Sequence, residues 1–394
     1  MHFLRQTLLP HFFYIAVGAF FFGIALHQIL LGLFFLVFMA SEWKEGRLLD
    51  RPFSGQGPAL FFVFSGWLSA LAAAITPPGT YDGFTFHWAF LVFWVINRDL
   101  VRRLEFDTLV KIIMVCALPG LVKSIFWLLQ ADEIQWALQV GFTHFPRAFG
   151  FNSNPITHSE GLIVACCWVL ARMTRPTSAG WRKAALFFFV LVVAVITCSR
   201  VRSGWAALVA VSCVHLLTYP PHRKGLLLFF SLFFPGVLVV IWFFGFNVAS
   251  LAERSELLAR GWHLFLEHPW LGIGPGQFFH YPPTPGGHLT HPHNTLLGLL
   301  AEQGILGVAA FALFFVHLIR RNWLLFQTYR AQDTPLGWVS RSLLYVNLTF
   351  IINGLTDYNL GSTVMLLWYA IHWAVLARLP LPWETQGSFE PRPR

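Results

Sequence analysis

The chain has 394 residues, 56% of them hydrophobic and only 11% charged, with 17 Trp and 42 Phe and a mean hydropathy of +0.60. A soluble domain carries roughly 25% charged residues, so this composition excludes a string of soluble domains and describes a chain dissolved in lipid. The formal net charge of +9 resides largely in loops on one side of that lipid and calls for no nucleic acid partner.

Apolar runs near the roughly 20 residues that cross a bilayer core predict an all-α integral membrane protein with about twelve transmembrane helices in one domain, 1–394. In chain order they lie at 8–26, 28–42, 59–76, 84–97, 107–130, 157–173, 184–199, 203–219, 225–245, 294–319, 342–356 and 360–378. With a cytoplasmic N-terminus, one set of alternate loops and tails collects Arg5; Lys44, Arg47, Arg51; Arg98, Arg102, Arg103; Arg172, Arg175, Arg182, Lys183; Arg223, Lys224; Arg320, Arg321, Arg330, Arg341; and Arg378, Arg392, Arg394. Cytoplasmic loops hold the excess of Lys and Arg, so both termini are expected there. The first run is too long for a cleaved signal peptide and another span follows at once, as in a retained signal anchor. Cys116, Cys166, Cys167, Cys198 and Cys213 fall within or at the ends of spans. An odd, lipid-embedded set reads as small apolar residues rather than as a disulfide framework or metal site.

The basic residues left on the outer side are Arg147, Arg200, Arg202, Arg254 and Arg260, all Arg and none Lys. Arg stays charged and offers a planar fork that suits a phosphate. In "SRVRSGWAAL" (199–208), Arg200 and Arg202 share a loop of a few residues, where two guanidinium groups repel unless an anion lies between them. The longest outer loop, 246–293, opens with a predicted surface helix. Ser250 and Glu253 read as its capping box, Leu251, Leu257, Leu258, Trp262 and Phe265 as its apolar stripe, and His268 before Pro269 as its end. Glu256 stands four residues before Arg260, an ordinary helical pair worth only about 0.3–0.5 kcal/mol.

"GIGPGQFFHYPPTPGGH" (272–288) follows as an irregular, Gly- and Pro-rich loop, and "RAFGFNSNPITHSEG" (147–161) is a second irregular outer segment. His288, His291 and His293 end the large loop just before the tenth run. A metal site needs three or four ligands, and this segment supplies neither Cys nor a neighbouring acid. Two readings stay open: histidines packed at the membrane interface, and a general base beside an arginine-lined phosphate site. The second has a chemical logic. Nearby cations disfavour the imidazolium and keep the ring able to take a proton, while the arginines neutralise a departing diphosphate. A transporter would instead place charges near mid-membrane, where Lys123 is the one candidate.

"RGWHLFLEHPWLGIGPGQF" (260–278) followed by "HPHNTLLGLLAEQGILG" (291–307) resembles the signature half of the O-antigen ligase and polymerase superfamily, and "SRVRSGWAAL" resembles its short Arg loop, with an Arg three residues before a Trp. By that spacing Arg202 fits better than Arg200; Arg260 matches the Arg of the periplasmic helix, and His293 with Asn294 the His-Asn pair opening the next span. "RAFGFNSNP" is similar to the family's Arg and Asn-Pro segment. The resemblance implies an inverting, metal-independent glycosyltransferase of the GT-C kind, without cofactor, at the periplasmic face of the bacterial inner membrane. The expected catalytic residues are His293, Arg202 and Arg260; Arg147, Arg200, His291 and Asn294 are expected to bind substrate. The implied donor is an undecaprenyl-diphosphate-linked glycan. Lipid A-core oligosaccharide is the acceptor for a ligase, which the length and short tail favour; a second lipid-linked repeat is the acceptor for a polymerase, and Ser or Thr for relatives that glycosylate proteins.

Overall fold

The computed structural model describes residues 9–43, 55–75, 88–96, 98–129, 148, 150–152, 154–175, 177–219, 249–281, 292–330 and 334–381, with a few isolated positions besides. Among these residues every regular element is helical. The principal helices are α1 (Leu9–Ala19), α2 (Ile24–Trp43), α3 (Gln56–Ile75), α4 (Phe106–Leu128), α5 (Pro155–Arg172), α6 (Ala179–Ser199), α7 (Arg202–Thr218), α8 (Ala249–Glu267), α9 (Thr295–Tyr329), α10 (Pro335–Gly354) and α11 (Thr363–Arg378). In lipid each backbone N–H and C=O must be satisfied within its own segment, which is why apolar runs of this length become helices. Four of them, Gln56–Ala73, Phe106–Trp127, Ala179–Ser199 and Thr295–Tyr329, are long and apolar enough to cross a membrane, and α1, α2, α7 and α11 contain shorter apolar stretches.

Several expected spans change shape. The first run is interrupted by a 3-10 turn at Phe20–Phe22 and a break at Gly23, so α1 has 11 residues and α2 starts earlier than expected. Where a span at 84–97 was expected, a 3-10 turn at Trp88–Leu91 passes into the short helix Val92–Val95. The expected span at 225–245 lies outside the described residues. The tenth run continues to Tyr329, with a kink at Gly304; the segment 305–329 alone is about 37 Å at 1.5 Å per residue, longer than a hydrocarbon core of about 30 Å.

The core is aromatic. Phe311, Phe314, Phe350 and Trp373 pack together across α9, α10 and α11, tilted or edge to face, with ring centroids 4.9 to 6.4 Å apart. Lipid supplies no hydrophobic drive between helices, so packing and buried polar contacts hold them. Asn322 of α9 donates to the Ser340 carbonyl at 2.9 Å and accepts from Asn347 at 2.9 Å, and Trp373 donates to Asn347 at 3.0 Å. Helices α9, α10 and α11 thus alternate in direction. One end of the bundle carries Arg321, beside Leu376 and Leu379, and the other carries His293, beside Asp357.

Helix α8 departs from its expected form. It is already helical at Ala249, so Ser250 lies inside it and does not cap it. Its end at Glu267 agrees with the block at Pro269. The expected stripe divides between two faces. Leu257 and Leu264 are buried against the bundle, whereas Leu258, Trp262, Leu266 and Trp270 follow at every fourth residue and are exposed.

Candidate functional site

The Arg loop is a turn of two residues, Arg200 and Val201, between α6 and α7. Arg200 closes α6 in the left-handed region, at φ 54°, with its N–H on the Thr197 carbonyl. The indole N–H of Trp205 donates to the Ile196 carbonyl at 3.2 Å, satisfying one of the carbonyls that a helix end leaves open. This explains the spacing of Arg and Trp: the indole of α7's first turn pins α6 and so sets where Arg202 stands. Ser199 joins Ser159 of α5 at 2.7 Å.

Arg202 opens α7, ahead of the predicted span, where the helix dipole disfavours a cation and favours an anion. Burial lowers its pKa first, and the charge of Arg254 on α8 lowers it further. Two helices therefore present like charges to one another at a helix N-terminus, an arrangement that an anion would relieve.

Arg260 sits six residues further along α8. Its guanidinium donates to the carbonyls of Phe278, at 3.2 Å, and Tyr281, and lies 4.8 Å over the Phe278 ring. It does not turn to Glu256, the partner that helical spacing allowed. Burial lowers its pKa. Arg260 thus fastens α8 to the loop that follows it, and the neighbouring Gly261 packs against Leu297 and Pro292, next to His293.

His293 and Arg200 are the non-glycine residues with positive φ among those described, at 47° and 54°. Such conformations cost about 1–3 kcal/mol and persist where the surroundings impose them, commonly at functional sites. Nδ1 of His293 faces Oδ1 of Asp357 at 3.4 Å, both side chains being largely buried. The Tyr358 N–H donates to that same oxygen at 2.8 Å. The separation is that of an ion pair rather than an aligned hydrogen bond, and a carboxylate beside a ring nitrogen favours the orientation that a general base needs. Asn294 caps α9 by accepting from the Leu297 N–H at 2.9 Å, and it donates to the Leu355 carbonyl at 3.1 Å. In this structure it is a joint between the base and the Asp357 loop.

The pieces converge at one end of the bundle. Ser159 touches the Arg loop, and its neighbour Glu160, fully buried, interacts electrostatically with Asp357. Arg147 and His291 lie outside the described residues. Ala148, next to Arg147, donates to the Cys198 carbonyl at 3.4 Å and so meets the Arg loop, while Lys123 holds Gly150 at 3.3 Å and lies over Phe151. Asn154 caps α5. Sequence reasoning did not single out Asp357, Glu302 or Tyr358. Asp357 had only the signal of a lone acid between two apolar runs, and Glu302 stood unused in "AEQG". Among the described residues, no group of three or more His, Cys, Asp and Glu comes together as metal ligands.

The class is that of a membrane protein, helical throughout its described residues, with a candidate site at one end of the bundle: arginines on two helices, and a histidine close to a carboxylate. Residues 186–312 match the family model described as O-antigen ligase, a stretch holding the Arg loop, Arg260, His293 and Glu302, and in this segment the chain is similar to that family. The teichuronic acid biosynthesis protein TuaE of Bacillus subtilis (strain 168) is 21% identical over 259 residues, covering 59% of this chain and 51% of TuaE. The chain spans about half the length of that curated relative.

Proposed function

We propose that this protein is an O-antigen ligase, moving a glycan from undecaprenyl diphosphate to lipid A-core oligosaccharide at the periplasmic face of the inner membrane. The observation that carries the reading is the His293–Asp357 pair at the same end of the bundle as Arg202 and Arg254. An acceptor hydroxyl attacks the anomeric carbon from the face opposite the diphosphate. The new C–O bond forms as the sugar–phosphate C–O bond breaks, so the configuration inverts. The hydroxyl proton passes to Nε2 of His293, whose Nδ1 faces Asp357. The electron pair of the broken bond stays on the diphosphate, where Arg202 and Arg254, with Arg147 and Arg200, meet the growing charge. Arg260 holds the wall of this site through Phe278 and Tyr281 and offers its remaining N–H groups to the donor. Asn294, next to the base in sequence, and His291, two residues before it, are assigned to binding the acceptor.

The likeness to a teichuronic acid biosynthesis protein favours a second reading on the same chemistry, a polymerase that joins lipid-linked repeats. Purified protein given undecaprenyl-diphosphate-linked glycan with either lipid A-core or a second lipid-linked repeat separates the two by product. Transfer to lipid A-core is the expected result; polymer alone makes the protein a polymerase, and no product with either acceptor ends both readings. Transfer should persist in EDTA, and strict dependence on an added divalent ion would overturn the arginine mechanism. Cysteines at positions 260 and 293 of a cysteine-free protein should react with an impermeant reagent from the periplasm, and labelling only from the cytoplasm would reverse the orientation.

A further inference from the structure

Helix α9 breaks at Gly304, whose φ of 63° and ψ of −164° are not helical. The segment after α8 docks into the break. The N–H groups of Ile305 and Leu306 reach the carbonyls of Pro269 and Trp270 at 2.8 and 3.3 Å, and those of Ile273 and Gly274 reach Ala301 and Glu302 at 3.0 and 2.8 Å. A Cβ on Gly304 would lie 2.4 Å from the Trp270 carbonyl, and one on Gly272 would lie 2.3 Å from the Glu302 carbonyl carbon. Gly272 of "LGIG" and Gly304 of "AEQG" are both needed for this close backbone contact.

The junction aims the Glu302 side chain, 2% exposed, between the two halves of the site. Oε1 accepts from the Phe278 N–H at 3.3 Å, and Oε2 accepts from the Tyr358 hydroxyl at 2.8 Å. Beyond Phe278 stands Arg260, bonded to its carbonyl and lying over its ring. Beyond Tyr358 stands Asp357, whose Oδ1 accepts from the Tyr358 N–H and faces His293. A carboxylate is costly to bury unless hydrogen bonds meet its oxygens, and here those bonds lead one to each half.

We propose that Glu302 is a positioning residue that sets the Arg260 loop and the His293–Asp357 pair at a fixed separation, one carboxylate oxygen holding each. The inference rests on the transfer reaction proposed above for its kinetic consequences, but not for its structural ones. Tyr358→Phe cuts the link to Asp357 alone. Glu302→Leu cuts both, and Glu302→Gln restores an acceptor for Phe278 and a polar contact for Tyr358.

The test measures hydrogen exchange over residues 271–281 and 355–361 of the full-length protein in nanodiscs, together with transfer from undecaprenyl-diphosphate-linked glycan. Tyr358→Phe should speed exchange in 355–361 only and lower kcat about ten-fold with donor KM held within about two-fold, since small misplacements of reacting groups cost rates of that order. Glu302→Leu should speed exchange in both loops, lower kcat and raise donor KM, and Glu302→Gln should recover much of each loss. Unchanged exchange in either loop of Glu302→Leu overturns the proposal. So does a Tyr358→Phe protein that loses donor affinity but keeps kcat. If the wild-type protein transfers nothing, the functional reading has failed, and the exchange pattern alone decides whether Glu302 couples the loops.

Discussion

Arg321 and Arg202 sit at opposite ends of the same bundle and are treated in opposite ways. At Arg321, Nη1 and Nη2 reach the two Glu384 oxygens at 2.8 and 2.9 Å, while Nε and Nη2 reach the carbonyls of Leu376 and Leu379. Arg378, at the same end, donates to Phe93 and Ile96 carbonyls at 3.1 and 3.2 Å. Arg202 opens a helix where the dipole is unfavourable to it and feels a second cation, Arg254. The first arrangement meets a cation with carbonyls and a carboxylate; the second sets a cation near a like charge and a helix N-terminus, surroundings that favour an anion. Arg260 lies between them, fastened to carbonyls yet beside the site.

The contrast can be broken in four ways. The largest effect is expected at the base, since general-base catalysis contributes about 10² to 10⁴ in rate. His293→Ala should lose that much single-turnover transfer while still binding donor and keeping its melting temperature. A near wild-type rate would make the histidine structural.

Arg202 comes next. Arg202→Met should abolish most transfer and weaken donor binding, with a smaller loss of thermal stability than Arg321→Met, because one of its neighbours is the like charge of Arg254. Arg202→Lys should also be impaired, as an ammonium cannot reproduce the guanidinium fork. A fall in melting temperature for Arg202→Met as large as that for Arg321→Met would show that the cation stabilises the fold.

Arg321→Met should do the reverse. It should cost about 2 kcal/mol, below the roughly 3–5 kcal/mol of fully buried pairs because Glu384 is 31% exposed, with transfer per folded molecule unchanged. Denaturation in detergent alongside specific activity measures both quantities. The smallest effect is expected at Trp205→Phe. It removes one hydrogen bond, about 1 kcal/mol, and loosens the Arg turn, so transfer should fall a few-fold and Arg202→Met should be insensitive to its addition.

Much of this architecture was legible from residues alone. Runs such as 107–130 and 184–199 became α4 and α6 because apolar helices in lipid answer to length and composition. The Arg loop, Arg260 and His293 were singled out from their place in the expected outer loops and from motif spacing. The boundary errors have local causes. Gly23 and the Phe20–Phe22 turn split a run that hydropathy reads as continuous, because apart from His11 and Tyr14 its residues are apolar or small. Ser250 and Glu253 have the right letters for a cap, but Ser250 lies within the helix.

What the sequence by itself determined was the solvent, the helical class and the set of charged residues held at the arginine and histidine end, since all three follow from composition and from patterns along the chain. Only the tertiary structure decided which partner each of those residues meets. Glu256 was near Arg260 in sequence, but the carbonyls of Phe278 and Tyr281 took its place. Asp357 lies 64 positions from His293 and reached it because α9 and α10 alternate in direction. Glu302 joins both halves because the backbone breaks beside it, at Gly304. Hydropathy and spacing report on neighbours along one helix, whereas these contacts depend on helix crossings and on one backbone break, quantities to which a linear pattern is insensitive.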